Sequence, residues 1–471
     1  MNNTTTRFGK EFILPVLVSI VIFMEFLDIT IINTAIPSIA RSFNVNPILL
    51  KFSVTSYFLS LAIFIPISGW CTDKFGTRPV FLSSVFLFVV ASFLCAISQN
   101  IFQLTMFRFL QGIGGAFMNP VSRIIIVRLF PPKDLVRIQA IIFTPAMLGQ
   151  VLGPFLGGLI TSYLSWHWIF YINIPIGLFA IYIGNSYIEQ QTYPTNRFDS
   201  IGFILVAMSL SCLTFFIEML NHYEIASQTT VFLTGGIGVI LFLILIIHCL
   251  KTKNPIFDFA IFKIKTFRVG FSVNVSAYMT NASIAFLLPL MYQEVFHLSP
   301  AKSGTLILPI AFGYLICRSF ASKIIPKLGF RRSICIASML VGIAVILIGH
   351  IESTTSIYFL IFAEFLFGAS WMIIGASTGA LNYTDMPIDK TSMATSIDIT
   401  FRQFFASFGI GFSAFILTSL AMGLSIDVFS STKIFHYTFY IIAALALINV
   451  INGLRLNNED GTHVLNKNNP K

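Results

Sequence analysis

Charge is what this chain has least of. Only 10% of its 471 residues are Asp, Glu, Lys or Arg, against about 25% in an ordinary soluble domain. That is too little to clothe a water-facing surface, so a soluble globular fold is excluded. Cysteine is sparse and poorly spaced for chemistry. The six cysteines, Cys71, Cys95, Cys212, Cys249, Cys317 and Cys335, form no C-x-x-C pair, and most lie inside apolar runs. They read as small buried hydrophobes, with no disulfide framework and no metal site. Catalytic signatures are missing as well. There is no Gly-x-x-x-x-Gly-Lys-Ser/Thr loop and no His-Glu-x-x-His, and the seven histidines are scattered. No enzyme chemistry and no cofactor are expected. The formal charge of +10 raises nucleic acid as a partner, but the basic residues form no stripe or RNA-binding motif, and that class is rejected. Pore-lining repeats and filter loops, which a channel needs, are not evident either.

What is present is apolar. Hydrophobic residues make up 56% of the chain and phenylalanine alone supplies 51 positions, a composition for a surface that faces lipid. A hydrocarbon core of about 30 Å takes around 20 apolar residues per helix. Spans are expected near 12–40, 50–71, 79–98, 101–130, 137–163, 168–188, 201–220, 230–250, 269–295, 303–322, 333–350, 357–384, 393–422 and 436–454. The expected fold is an all-α polytopic membrane protein with fourteen spans. The first apolar run holds Glu25 and Asp28 and is followed by no small-residue cleavage site, so it is read as a retained helix and not as a signal peptide. Orientation follows from Lys and Arg, which collect in cytoplasmic loops. With the N-terminus inside, only Arg41, Lys51, Lys302 and Lys433 fall in outer loops, and Arg108, Arg123, Arg318 and Arg402 fall within spans. The rest of the 29 basic residues are cytoplasmic, which places both termini in the cytoplasm of a bacterial inner membrane.

The loop after the second span reads Gly69-Trp-Cys-Thr-Asp73-Lys74-Phe-Gly76-Thr-Arg78, and its Lys-x-Gly-x-Arg core returns after the tenth span as Lys327-Leu-Gly329-Phe-Arg331. Such recurrence marks parallel halves. The expected organisation is a six-helix bundle over 1–188, two inserted helices over 189–268, a second six-helix bundle over 269–454 and a cytoplasmic tail over 455–471. Gly69-x-x-x-Asp73-Lys74-x-Gly76-x-Arg78 resembles the signature loop of the major facilitator superfamily. The first span, Leu27-Asp28-Ile-Thr30-Ile-Ile-Asn33-Thr-Ala35-Ile-Pro37, is similar to that of its fourteen-spanner drug:proton antiporters of the EmrB/QacA type. So are Arg108-Phe-Leu-Gln111-Gly112-Ile-Gly114-Gly115, Gly149-x-x-x-Gly153-Pro154-x-x-Gly157-Gly158 and Trp166-His-Trp168-Ile-Phe-Tyr-Ile-Asn173-Ile-Pro175-Ile-Gly177. The resemblance covers nearly the whole chain and is greatest to MdtD-type multidrug transporters. It implies the major facilitator fold and proton-coupled export of a small-molecule cargo by a monomer. It also implies a latch between the two halves at the Asp73 loop, and proton coupling at the position of Arg108.

The motifs also have a reading of their own. Gly149, Gly153 and Gly157 recur at four-residue steps, so they share one helix face and permit a close neighbour. Pro154 interrupts the hydrogen-bond ladder and can bend the helix. Packing and gating both remain open for this face. Gly76 suits a tight turn, and Asp73 can pair with a basic group or a helix N-terminus. The second copy has Pro326 where Asp73 would stand, so any latch is expected to be asymmetric.

Ionisable groups inside a membrane are costly and mark function by default. Glu25 and Asp28 lie one turn apart on one face. Two carboxyls so close resist double ionisation, the property a proton carrier needs. From the cytoplasmic ends of their helices, Asp28 is about 24 Å deep and Arg108 about 33 Å, so they meet only if the helices tilt. Arg123 either attracts an anionic cargo or snorkels to the cytoplasmic surface. Aligning Gly112 with Gly368 puts Glu364 at the repeat position of Arg108, making it a further proton-coupling candidate. Asp398 and Arg402, four apart, are expected to pair within their helix. With Asn33, Gln111 and Arg123 they form the candidate cargo-binding set. Glu218, Glu294, His297 and Asp427 fall near outer span ends and are expected at the interface. Reporter fusions at Glu11 and at Asn457 should both report cytoplasm, and an external signal at either would overturn this topology.

Overall fold

The computed structural model describes residues 3–130, 132–195, 197–220, 226–387 and 390–461. The expected tail beyond Gly461, with Lys467 and Lys471, lies outside these residues. The described chain is helical, and twelve of its helices are long and apolar enough to cross a membrane. The elements are α1 (Asn3–Phe43), α2 (Lys51–Phe75), α3 (Thr77–Ala96), α4 (Ile101–Leu129), α5 (Pro132–Tyr163), α6 (Trp168–Tyr171), α7 (Asn173–Tyr187), α8 (Ser200–Met219), α9 (Gln228–Lys251), α10 (Lys265–Leu290), α11 (Pro300–Leu306), α12 (Leu308–Ile348), α13 (Ile357–Thr384), α14 (Thr391–Leu424) and α15 (Thr432–Leu454). Two departures from the expected spans have local causes. The sixth begins as one turn, α6, and continues as α7. The tenth and eleventh run together as α12, interrupted only at Gly329. Large exposed side chains such as Phe86, Phe102, Phe179 and Tyr182 stud the outer faces. An aqueous surface would not tolerate so much apolar area, and lipid does.

Helix ends are set by side chains that replace the missing backbone partners. Asn100 accepts from the Gln103 N–H to start α4, and Ser227, Ser299 and Ser431 do the same for α9, α11 and α15. Within the spans, hydroxyls such as Thr55, Ser68, Thr72, Thr280 and Thr438 bond back to carbonyls three or four residues earlier. Each of these hydroxyls thus has a partner within its own helix in an apolar setting.

The chain forms two compact units, Met1–Phe203 and Ile204–Lys471. In the first, α1 packs on α5, and α4 packs on α2 and α3. In the second, α10 packs on α14, and α12 on α13 and α15. The same contacts recur at repeat-related residues. Gly76 has φ 96° and Gly329 φ 76°, a left-handed corner that only glycine adopts without strain. A Cβ on Gly112 would collide with the Tyr57 carbonyl, and one on Gly368 with the Ile310 carbonyl. A Cβ on Gly149 would meet the Phe23 carbonyl, and one on Gly409 the Met279 carbonyl. Thr30 Oγ1 reaches the Gly149 carbonyl at 3.5 Å, while Ser283 Oγ reaches that of Gly409 at 2.9 Å. These shared backbone contacts support the residue alignment that put Glu364 opposite Arg108.

α8 and α9 meet α14. Ile217, Leu220 and Val231 form a cluster joined by Phe408, Phe412 and Phe415, and Phe242 stacks edge-on against Phe401 at 6.0 Å. Glu218 is not at an aqueous interface, as its place near a span end had suggested. It is 3% exposed and lies against Gly411 of α14. Lys51, expected in an outer loop, is likewise buried as the first residue of α2.

The glycine contacts give a stability test. Gly368→Ala places a methyl into the Ile310 carbonyl and should cost about 1–3 kcal/mol, seen as a lower thermal unfolding midpoint in detergent. Gly375→Ala, on the same helix with nothing within 4 Å of its added Cβ, should be neutral or slightly stabilising.

Candidate functional site

The first unit carries a polar centre in an otherwise apolar interior. Arg108 of α4 is 0% exposed and Asp28 of α1 is 1% exposed. Their Nη1 and Oδ2 atoms stand 2.6 Å apart. The structure thus brings together two residues whose nominal depths along their helices differ. Gln111, one turn along α4, accepts from Arg108 at 2.7 Å and donates to Asp28 Oδ1 at 2.8 Å and to Ser92 of α3 at 2.8 Å. Asn173, the first residue of α7, donates to Asp28 Oδ1 at 2.8 Å. The guanidinium lies over the Tyr57 ring, 4.3 Å from its centroid. Each carboxylate oxygen of Asp28 thus has a donor, and the arginine has a carboxylate, an amide oxygen and a π-face, with its Nε lacking a hydrogen-bond partner among the described residues. That degree of satisfaction is what permits an ion pair in so dry a place.

Glu25, one turn before Asp28, is outside this net. It is 4% exposed, and among the described residues its Oε2 has no hydrogen-bond partner. The two neighbouring carboxyls therefore do not share one environment: Asp28 is held by donors and Glu25 is not. Arg123 is exposed on α4, donates to Asn119 at 3.1 Å and lies within electrostatic reach of Glu25. Asn33 is 7% exposed, and its Oδ1 lacks a partner among the described residues. Gln111, named above with the cargo-binding candidates, is instead fully buried in the ion-pair shell.

The second unit has two polar centres. Glu364 is 0% exposed and accepts from the Tyr292 hydroxyl at 2.6 Å. Tyr292 sits in a π-helical turn, Met291–Val295, directly after Pro289 of α10. On α14, Asp398 and Arg402 form the expected pair within one helix. Asp398 is fully buried and also accepts from Asn274 at 2.9 Å and Asn382 at 3.3 Å. Arg402 donates to the Tyr278 hydroxyl at 3.1 Å, and 27% of its side chain is exposed.

The loop between α2 and α3 is latched inside its own unit. Asp73 pairs with Arg128 at the end of α4. Arg128 covers the Tyr193 ring at 4.0 Å, and the Tyr193 N–H donates to the Asp73 carbonyl at 2.9 Å. Thr77 Oγ1 donates to the Glu189 carbonyl and Arg78 to Asn185. Lys74 rests on Trp70, which stacks on Phe198. The latch implied by the resemblance lay between halves. The partners seen here are α4 and the segment after α7. That segment also presses on Gly76, whereas among the described residues nothing lies within 4 Å of a Cβ added at Gly329, so the two corners differ in their surroundings. Gly69 faces open space, and packing alone does not require it. Gly149, Gly153 and Gly157 all abut α1, at Phe23, Thr30 and Ile31, with Pro154 and Gly158 in the same stretch of α5.

Sequence reasoning missed the neutral members of these centres: Ser92, Tyr57 and Asn173 in the first unit, and Asn274, Asn382, Tyr278 and Tyr292 in the second. Asn173 lay inside a quoted motif but carries no charge to single it out.

The model of the Major Facilitator Superfamily matches residues 18–410. The chain is 32% identical over 450 residues to "Probable transport protein HsrA" of Haemophilus influenzae, covering 94% of this chain and 95% of that one. It is 29% identical over 424 residues to "Putative multidrug resistance protein MdtD" of Escherichia coli, covering 90% of each. In structure it resembles a bacterial homologue of the human lysosomal transporter Spinster, inward-facing and unoccupied. That match has a TM-score of 0.65 at 11% identity over 98% of both chains, a likeness of fold alone.

Removing one member of the Asp28 shell should tell in stability. Asn173→Ala deprives a buried carboxylate of a donor and should cost about 1–3 kcal/mol, read as an earlier unfolding midpoint in detergent. Arg78→Ala, at an exposed contact, should cost under about 1 kcal/mol. Equal midpoints for the two variants would contradict this ranking.

Proposed function

Because the chain belongs to the major facilitator superfamily, we propose that it works as a proton-coupled secondary exporter of multidrug type. It is a multi-pass membrane transporter and not an enzyme. The finer reading includes fourteen spans, as in the EmrB/QacA type. What supports it beyond the twelve candidate spans is that α5 is a 32-residue helix and that Gly329 divides α12. With basic residues collected on one side, both termini are taken as cytoplasmic in a bacterial inner membrane. Protons and a small-molecule cargo are the expected partners, and a monomer the working form. The multidrug assignment is supported by the printed name of the MdtD relatives.

The observation that carries the proposal is the contrast between Asp28 and Glu25. Asp28 and Arg108 cancel each other's charge and are fixed from α1, α3, α4 and α7. Glu25 is buried one turn away with an oxygen that accepts nothing among the described residues. A carboxyl so placed is suited to carry a proton, since its charged form has few donors to repay desolvation. Each protonation of Glu25 changes the net charge beside the fixed pair by one unit. In a low-dielectric site that is a large electrostatic signal, able to bias two conformations of the bundle. Inward proton release from Glu25 would then drive outward cargo movement. Glu364, bonded to Tyr292, is a second candidate carrier.

A second reading, export of an endogenous anionic metabolite such as a carboxylate or siderophore, is favoured by Arg402. It is partly exposed beside Tyr278, with Trp371 against the same ring at 5.6 Å.

Everted vesicles with an imposed pH gradient and ethidium as cargo provide the test. Glu25→Gln should abolish gradient-driven ethidium movement while leaving ethidium binding within about twofold. The double variant Glu25→Gln with Asp28→Asn should be no more active. Full proton-driven movement in the double variant would place coupling elsewhere. Wild-type ethidium efflux that carboxylate competitors do not affect would rule out the anionic-cargo reading.

A further inference from the structure

A basic recess lies at the start of α10. Lys265, Arg268, Val269 and Ser272 follow at helical spacing and form one stripe along its first two turns. Opposite them stand Asn452 and Arg455 from the last turn of α15. Together the six line a cavity of about 440 Å³. Its rim is cationic and its floor polar: Arg268 and Arg455 are exposed, Lys265 is 39% exposed, and Ser272 and Asn452 lie below them. The recess also includes the N-terminal turn of α10, whose free N–H groups favour an anion.

Three cations so close together would repel one another if left unanswered. Among the described residues, one carboxylate pairs with them. Asp460, in the turn after α15, reaches Lys265 at 2.7 Å. Partial burial works against its charge, yet hydrogen bonds from Lys265 and the Asn457 N–H hold its carboxyl below the ordinary aspartate range. Among the described residues, Arg268 and Arg455 then have no carboxylate partner. The surface leading away from it is apolar. Ile448 and Ile451 precede Arg455 on one face of α15, at 47% and 56% exposure, and Leu454 beside them is 53% exposed. An anion that combines a compact charged head with hydrocarbon chains matches both parts.

We propose that this recess binds the phosphate of an anionic phospholipid headgroup, with the acyl chains lying along Ile448, Ile451 and Leu454. Arg268 and Arg455 contact the phosphate oxygens, and Ser272 and Asn452 hydrogen-bond the glycerol part. Asp460 competes with the phosphate for Lys265. None of its six lining residues is among the cargo and proton groups, so it stands or falls independently of the exporter reading.

The test is native mass spectrometry of the full chain in detergent, delipidated and then titrated with phosphatidylglycerol or phosphatidylcholine. One phosphatidylglycerol should bind above the background set by phosphatidylcholine. The triple variant Lys265→Gln, Arg268→Gln, Arg455→Gln should weaken that binding by roughly a hundredfold. Asp460→Asn, which keeps all three cations and removes their competitor, should tighten it several-fold and guards against a folding artefact in the triple variant. Inorganic phosphate added as a competitor distinguishes the sources of the anion. Retention of the lipid at 10-fold excess phosphate supports the headgroup, and displacement at equal concentration shows a site for free phosphate and overturns the lipid assignment. Equal phosphatidylglycerol binding in the wild type and in the triple and Asp460 variants would refute the site altogether.

Discussion

A charge brought into the interior of a membrane protein has no water to turn to, so the protein must supply its whole solvation shell. The Asp28–Arg108 pair shows what that requires. It draws in a glutamine, an asparagine, a serine and the face of a tyrosine from neighbouring helices. None of these would be worth burying alone. Each is explained as solvent for the pair. The apolar helices around them can then pack as the hydrophobic pattern dictates.

The same demand explains which parts of the molecule were legible in the sequence. Spans were visible because apolar length is a one-dimensional signal, and the charged members of each centre stood out against it. The pairing of Asp398 with Arg402 follows from spacing alone. The pairing of Asp28 with Arg108 does not, because helical rise alone places them at different depths. Asn173 and Ser92 were hidden because a neutral amide or hydroxyl in an apolar run looks like any other tolerated polar residue. Glu218 misled by its position near a span end. The side chain turns in against Gly411, which depends on the partner helix and not on the local sequence. The break within α12 was expected, but as a loop; the structure makes it a one-residue corner at Gly329.

The two halves agree in backbone and differ in charge. Gly112 receives a carbonyl from α2 and Gly368 one from α12, and Gly76 and Gly329 make the same corner. Yet Arg108 is answered by Glu364, and Asp73 by Pro326. Close helix contact leaves no room for a side chain, so those positions cannot drift. The polar positions are constrained only by having a local partner, and Tyr292 serves Glu364 as Asp28 serves Arg108. Internal repetition thus conserves where helices touch and lets chemistry diverge between the copies.

The shell around Asp28 has a mechanical side. Hydrogen bonds join α1, α3, α4 and α7 at one level, while glycines let α5 lie close against α1. For one of these helices to shift along its axis by even an ångström or two, several charge-assisted bonds would have to stretch together. The bundle resists shear and transmits force as a beam does. Motion needed for transport is therefore channelled away from this level, toward elements held by fewer bonds.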